Sequence, residues 1–430
     1  MTLLLPRSQA LAALTADGWL LMLTRAIRLF AYGCVSVILV LYLVHIGLSD
    51  QRIGLLLTLT LVGDTAISLW LTTRADRLGR RRMLIIGAGL MVFAGIVFVL
   101  TRSFLLLLLA TTLGVISPSG NEVGPFLSIE QASLAQVVPD QRRTGVFAWY
   151  SLAGSFATAL GSLTGGVLTQ ELQWMLAAPL AGYRIVLAIY AVLGLVSALL
   201  FMRLSPRVEV YTAADGVPTP ASSRWGLGRS RGMVLRLSGL FALDAFGGGF
   251  VIQSLAAYWF HLRFGTNPAA LGGIFFAANL FAGFSALAAA WVASRIGLLN
   301  TMVFTHLPSN VLLILVPLMP TPGLAILVLL LRFSISQMDV PTRQSYTMAV
   351  VSPAERSAAA GVTGVARTTG AAISPLFAGL LLGNVALLNV TFFLAGGLKI
   401  AYDVLLYRSF RMHRPREESL PATETSAGLG

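Results

Sequence analysis

The chain has 430 residues, of which 56% are hydrophobic and only 11% charged, and its mean hydropathy is +0.81. A soluble domain carries about a quarter charged residues, so a soluble globular fold is excluded, and apolar stretches of about 20 residues without short alternation exclude an outer-membrane barrel. The net charge of +13 argues for no nucleic-acid partner unless it survives a test against loop placement, because arginine and lysine accumulate on the cytoplasmic side of membrane proteins.

The N-terminal segment, MTLLLPRSQALAALTADGWLLML, puts one arginine ahead of a weakly apolar run that Asp17 interrupts. No cleavage-site pattern follows, so it is not read as a cleaved signal peptide. Beyond it, apolar runs broken by Gly, Pro, Asn or charge predict twelve crossings, at 22–46, 53–73, 83–101, 104–137, 144–168, 184–203, 233–262, 269–293, 300–319, 323–350, 358–383 and 388–408. The expected fold class is an all-α membrane protein. The longest polar connection divides six crossings from six, giving a bundle at 1–205, a cytoplasmic linker at 206–232, a second bundle at 233–410 and a disordered tail at 411–430.

The first span holds the single cysteine, Cys34, so no intramolecular disulfide can form. Arg25 and Arg28, near its start, are read as snorkelling to the surface. In the second span Asp64 has no opposite charge at helical spacing, and is either a proton carrier or an interhelical partner. The fourth span contains SPSGNEVGPFLSIEQASLAQ, whose two prolines and two glycines predict a broken helix. It carries Asn121, Glu122, Glu130 and Gln131, which are candidates for a polar cavity.

The seventh span, through ALDAFGGGFVIQS, holds Asp244 and Gln253; Asp244 is again either a proton carrier or a partner for Arg332 or Arg367. The tenth span is the most highly charged. LLLRFSISQMDVPTRQSYT carries Arg332, Gln337, Asp339, Arg343 and Gln344, of which Gln337 and Gln344 join Gln253, Asn121 and Gln131 as candidates for the substrate cavity, and each charge near a membrane centre costs about 2.5–3.5 kcal/mol. Asp339 and Arg343 stand four apart, within salt-bridge reach on one helical face, with Arg332 two turns earlier on nearly the same face. Pro341 predicts a kink that frees carbonyls toward a cavity. In the twelfth span Lys399 and Asp403 form another pair at a spacing of four. The histidines are scattered and mostly near helix ends, so no metal site is read and no cofactor is expected.

Twelve crossings put both termini on one side. Twenty arginines, from Arg7 to Arg416, fall on that side and only Arg52, Arg102, Arg184 and Arg263 on the other. Both termini are therefore expected in the cytoplasm, a bacterial inner (plasma) membrane is the expected location, and topology rather than nucleic acid explains the positive charge.

The halves repeat at a nearly constant offset. Asp76-Arg77-Leu78-Gly79 matches Ser294-Arg295-Ile296-Gly297, and Val138-Pro139-Asp140-Gln141-Arg142 matches Ser352-Pro353-Ala354-Glu355-Arg356. Gly161-Ser162 with Gly165-Gly166 matches Ser374-Pro375 with Ala378-Gly379, and Glu122-Val123-Gly124-Pro125 matches Asp339-Val340-Pro341. With ADRLGRRRML between the second and third spans, the chain resembles the major facilitator superfamily over residues 20–410. Thr72 stands where that family's loop signature begins with glycine. Helix 5, AWYSLAGSFATALGSLTGG, partly resembles the glycine-rich pattern of the antiporter branch, although close helix packing also explains its small residues.

The resemblance implies two six-helix bundles around a cavity that opens alternately to either side. It also implies that Asp76, with Arg77, Gly79 and Arg80, is a conformational latch meeting the cytoplasmic end of helix 11; the arginines are alternatively topology anchors. The reading is a proton-coupled exporter of small amphipathic or drug-like molecules, with Asp339, Glu122 and Glu130 as the exchanging acids. An importing symporter or uniporter and a non-transporting receptor of the same fold are the competing readings. The expected partners are a small-molecule substrate, protons and the lipid bilayer, with the protein monomeric. No phosphate-binding loop or hydrolase pattern is present, so no enzyme is expected.

Overall fold

In hydrocarbon each backbone N–H and C=O must find a partner inside its own segment, so apolar runs of this length close as helices. The computed structural model describes residues 14–209, 230–352 and 355–412. Residues 1–13, most of the expected linker at 210–229, the Pro353-Ala354 pair and the tail from 413 lie outside them, together with Arg7, Arg224, Arg229, Arg414, Arg416 and His413.

The helices in chain order are α1 (Ala16–His45), α2 (Asp50–Leu78), α3 (Arg80–Leu100), α4 (Phe104–Leu113), α5 (Phe126–Val137), α6 (Asp140–Leu176), α7 (Pro179–Phe201) and α8 (Arg231–Gly249). They continue with α9 (Gln253–Phe264), α10 (Pro268–Ile296), α11 (Leu298–Leu315), α12 (Pro322–Ser336), α13 (Asp339–Val350), α14 (Arg356–Leu382) and α15 (Val390–Phe410). Among the described residues, eleven segments are long and apolar enough to cross a membrane, and there is no strand. The remaining predicted crossing, 104–137, is divided between α4 and α5.

That division has a local cause. Gly120 and Gly124 adopt positive φ, at 73° and 79°, which side-chain-bearing residues rarely adopt, and Pro125 lacks an N–H. The seventh crossing breaks between α8 and α9, after the three glycines Gly247–Gly249. The tenth breaks at Gln337 and Met338. Pro341, expected to kink a continuous helix, instead occupies the third position of α13, in the first turn, where the N–H groups have no intrahelical acceptor and its missing donor is not needed. Arg332 and Asp339 therefore sit on separate helices rather than on one face.

By packing, the chain forms two compact units. The first comprises 1–216, 251–280 and 375–388, and the second 217–250, 281–374 and 389–430. These cut across the sequence halves, and two of the changes fall beside the glycine run of the seventh crossing and at Pro375 within α14.

In the first unit α1 is the central helix: its most apolar stretch is 83% buried, against 22–56% for the other ten. The Thr15 hydroxyl caps it, accepting from the Gly18 N–H at 3.2 Å. The glycines of α6 let α1 approach backbone to backbone. A Cβ on Gly161 would lie 2.0 Å from the Phe30 carbonyl oxygen, and one on Gly165 would lie 2.5 Å from the Cα of Cys34.

These contacts predict the effect of adding single methyl groups. Gly161→Ala is expected to lower the melting temperature in detergent, because its neighbour is backbone and overpacking costs about 1–3 kcal/mol. Gly239→Ala, within α8 with nothing inside 4 Å of its Cβ position, is expected to hold or raise it, since alanine exceeds glycine in a helix by about 1 kcal/mol. Equal melting temperatures for the two variants would refute the close-packing account of the α6 glycines.

Candidate functional site

A guanidinium or carboxylate within a membrane helix is tolerated when it meets an opposite charge, a hydrogen-bonding neighbour or water. Each unit gathers most of its intramembrane charges into a network.

In the first unit, α1 supplies two arginines. Arg25 Nη1 lies 2.7 Å from Glu122, and its Nε donates to the Tyr150 carbonyl at 2.9 Å. Arg28, wholly buried, forks onto Glu130 at 2.7 and 2.9 Å and reaches Glu122 at 3.2 Å. Thr24 donates to Glu130 at 3.0 Å, and the Tyr150 hydroxyl donates to its other oxygen. The Arg28 guanidinium lies 4.0 Å from the Phe126 ring centroid, and Arg25 lies 4.1 Å from that of Tyr150. Two arginines thus face two glutamates, each oxygen of Glu130 being held.

The snorkelling read for Arg25 and Arg28 is corrected. Both are buried because α1 is enclosed by its neighbours rather than by lipid headgroups. Asp64 on α2 differs from the other acids. Its carboxylate accepts from the Gly124 N–H and, at 3.5 Å, from Ser68, with no cation in salt-bridge reach among the described residues.

The second unit is organised around Asp244. Lys399 Nζ reaches one of its oxygens at 2.6 Å and Arg343 Nη1 the other at 3.3 Å, while His306 Nε2 stands 3.7 Å away. Arg343 also pairs with Asp339 at 2.8 Å. His306 Nδ1 lies 2.9 Å from Asp403, which accepts from Asn310 at 2.9 Å as well. With both ring nitrogens protonated, Nδ1–H donates to Asp403 and Nε2–H faces Asp244, so that His306 bridges two carboxylates; singly protonated, it holds only one of them. The partner of Asp244 is therefore not Arg332 or Arg367. Nor do Lys399 and Asp403 pair along their own helix: each reaches across the bundle, to Asp244 and to His306. His306, expected among histidines near helix ends, is buried in the middle of α11. Its signal was the His–Asn spacing of four inside the apolar run TMVFTHLPSNVLLIL.

The polar candidates divide. Gln253 is engaged within the first unit, donating to Ser36 at 2.8 Å and Ser162 at 3.0 Å and accepting from Asn279 at 3.0 Å. Asn121 and Gln344 are exposed, and Gln131 and Gln337 half-buried. In the loop signature, Arg80 bonds Asp76 at 2.9 Å and Gln136 at 2.8 Å, while Glu209 accepts from the Arg80 N–H at 2.6 Å. Gly79, with φ of 103°, turns the chain between α2 and α3, and Arg77 is exposed.

Residues 21–338 match the family model of the Major Facilitator Superfamily. Uncharacterized membrane protein YJR124C of Saccharomyces cerevisiae is 30% identical over 407 residues, covering 88% of this chain and 91% of that protein. A Na(+), Li(+), K(+)/H(+) antiporter of Planococcus maritimus is 31% identical over 115 residues, 27% of either chain. Among solved structures, a bacterial homolog of the human lysosomal transporter Spinster, in an inward-facing and occupied conformation, matches with a TM-score of 0.70 at 17% identity over 92% of this chain and 97% of that one, a likeness of fold. By the family match over most of its length and by its long relative in yeast, the chain belongs to the major facilitator superfamily.

Proposed function

We propose that the chain is a secondary active transporter working by alternating access, coupling proton movement to the export of small amphipathic or drug-like organic molecules, with both termini cytoplasmic. The observation that carries this reading is the set of carboxylates on membrane-crossing elements: Asp64, Glu122, Glu130, Asp244, Asp339 and Asp403. A receptor or scaffold of the same fold has no need of six such groups at a cost of several kcal/mol each. The short likeness to a cation/proton antiporter supports the same direction.

The acids divide by what protonation would require. Glu122, Glu130 and Asp339 exchange a proton only as their arginine pairs open, which links charge to conformation. Asp64 needs no ion pair broken. When it is protonated its hold on the Gly124 N–H weakens, because a neutral carboxyl is a poorer acceptor than a carboxylate, and that N–H lies in the same irregular segment as Glu122. One proton crossing 100 mV supplies about 2.3 kcal/mol, roughly fifty-fold accumulation, so a single functional carboxyl is enough.

Purified protein in proteoliposomes with an imposed pH gradient is expected to drive fluorescent amphipathic dyes against their own gradient. Asp339→Asn, Glu122→Gln and Asp64→Asn are each expected to lose that drive tenfold or more while retaining dye exchange at equal pH. Full pH-driven transport in all three variants would reduce these acids to structural roles.

The latch reading gives a separate test. The Asp76 side chain is 66% exposed and paired four residues along with Arg80, an arrangement worth at most about 1 kcal/mol. Asp76→Asn is therefore expected to leave the melting temperature unchanged and to slow flux severalfold. Unaltered flux would leave the loop arginines as topology anchors.

A further inference from the structure

Away from the ends of its membrane-crossing segments, the second unit places three carboxylates, Asp244, Asp339 and Asp403, and four fixed cations, Arg332, Arg343, Arg367 and Lys399. Arg343 and Lys399 take up Asp244 and Asp339, and His306 with Asn310 holds Asp403. Among the described residues, Arg332 and Arg367 meet no carboxylate at salt-bridge distance. The Nε of each is closed to solvent with no hydrogen-bond partner. Arg332 has the Phe333 ring 4.9 Å from its guanidinium carbon, a contact that does not neutralise its charge.

Neither arginine is placed toward lipid. On α12 the buried positions Ala325, Leu329 and Ser336 form one stripe, and Arg332 falls on it, whereas Leu324, Leu327 and Leu331 on other faces are exposed. On α14, Arg367 falls on the stripe of Thr363, Gly370 and Ser374, all buried. Both arginines are therefore carried on the faces that their helices bury within this unit, whose carboxylates gather around Asp244 and Arg343. A cationic ligand would find all three of these carboxylates already engaged. An anionic one would find two unpaired forks, each shaped to hold a carboxylate or phosphate by two parallel hydrogen bonds.

We infer that Arg332 and Arg367 form a binding subsite for the oxyanion group of an organic anion, carboxylate or phosphate, so that the transported molecules are amphipathic anions. This rests on the transporter reading for its purpose but not for its test, since binding is read in detergent and flux is not required. The oxyanion can belong to a soluble molecule or to a lipid headgroup, and the probes separate these.

The measurement is the melting temperature of the purified full chain against benzoate, benzyl phosphate, benzyl alcohol and benzylamine, which share a ring and differ in charge, and against lysophosphatidic acid. Benzoate or benzyl phosphate, or lysophosphatidic acid alone if the anion is a lipid's, is expected to stabilise the protein, and the alcohol and amine are not. Arg332→Gln and Arg367→Gln are each expected to weaken that binding about tenfold to a hundredfold, with Arg332→Lys between. Without ligand, neither glutamine variant should melt below the wild type, because no internal ion pair is lost, whereas Arg343→Gln should melt well below it. The proposal is overturned if no oxyanion stabilises the chain, if the amine or alcohol does so equally, or if the glutamine variants bind as the wild type does. It is also overturned if they lose stability as Arg343→Gln does, which would show that the two arginines have structural partners.

Discussion

The interior of this protein is governed by the cost of an unpaired charge in a membrane. Removing one member of a buried ion pair typically costs 3–5 kcal/mol because its partner is left uncompensated, so helices carrying such groups are bound to one another by more than apolar contact. In the first unit α1 brings Arg25 and Arg28 to glutamates around the broken fourth crossing. In the second, one carboxylate, Asp244, ties α8 to α13 and α15 and stands beside His306 of α11. Hydrophobic packing would hold these helices together in many registers. The ion networks select one.

The breaks in the helices fall where this chemistry is. The irregular stretch 114–125 contains Glu122, the interruption after Gly249 separates Asp244 from Gln253, and the one at Gln337 and Met338 is followed at once by Asp339. Irregular backbone at membrane depth is tolerated only against protein or water, so a break and a buried charge favour the same surroundings. The break also supplies donors. Gly124 lies outside any helix, and its N–H is free to serve Asp64.

Much of the fold was legible in the sequence because it rests on local rules. Prolines and glycines marked the broken fourth crossing, and a spacing of four placed Asp339 and Arg343 within reach, where they pair at 2.8 Å. The same spacing misled at Lys399 and Asp403. A spacing rule shows that two side chains can meet, but not that each has a better partner on another helix, here 155 residues away for Lys399. Arg25 and Arg28 failed for a related reason: nearness to a helix end suggests a route to water, but α1 is surrounded, and enclosure is a tertiary property. Pro341 was legible as a disruption, but not that the chain would restart a helix just ahead of it.

The link between Asp244 and Lys399 also constrains how the chain can be assembled. A ribosome adding about 5–20 residues per second needs roughly 8–30 s to go from the aspartate to its lysine. Through that interval Asp244 is already synthesised while its strongest counter-charge is not, and the final helix carries both Lys399 and the carboxylate that engages His306. Until α15 enters the bilayer the second unit lacks its native charge balance, and its seventh crossing has to be sheltered by the insertion machinery, or by Arg343 once the tenth arrives.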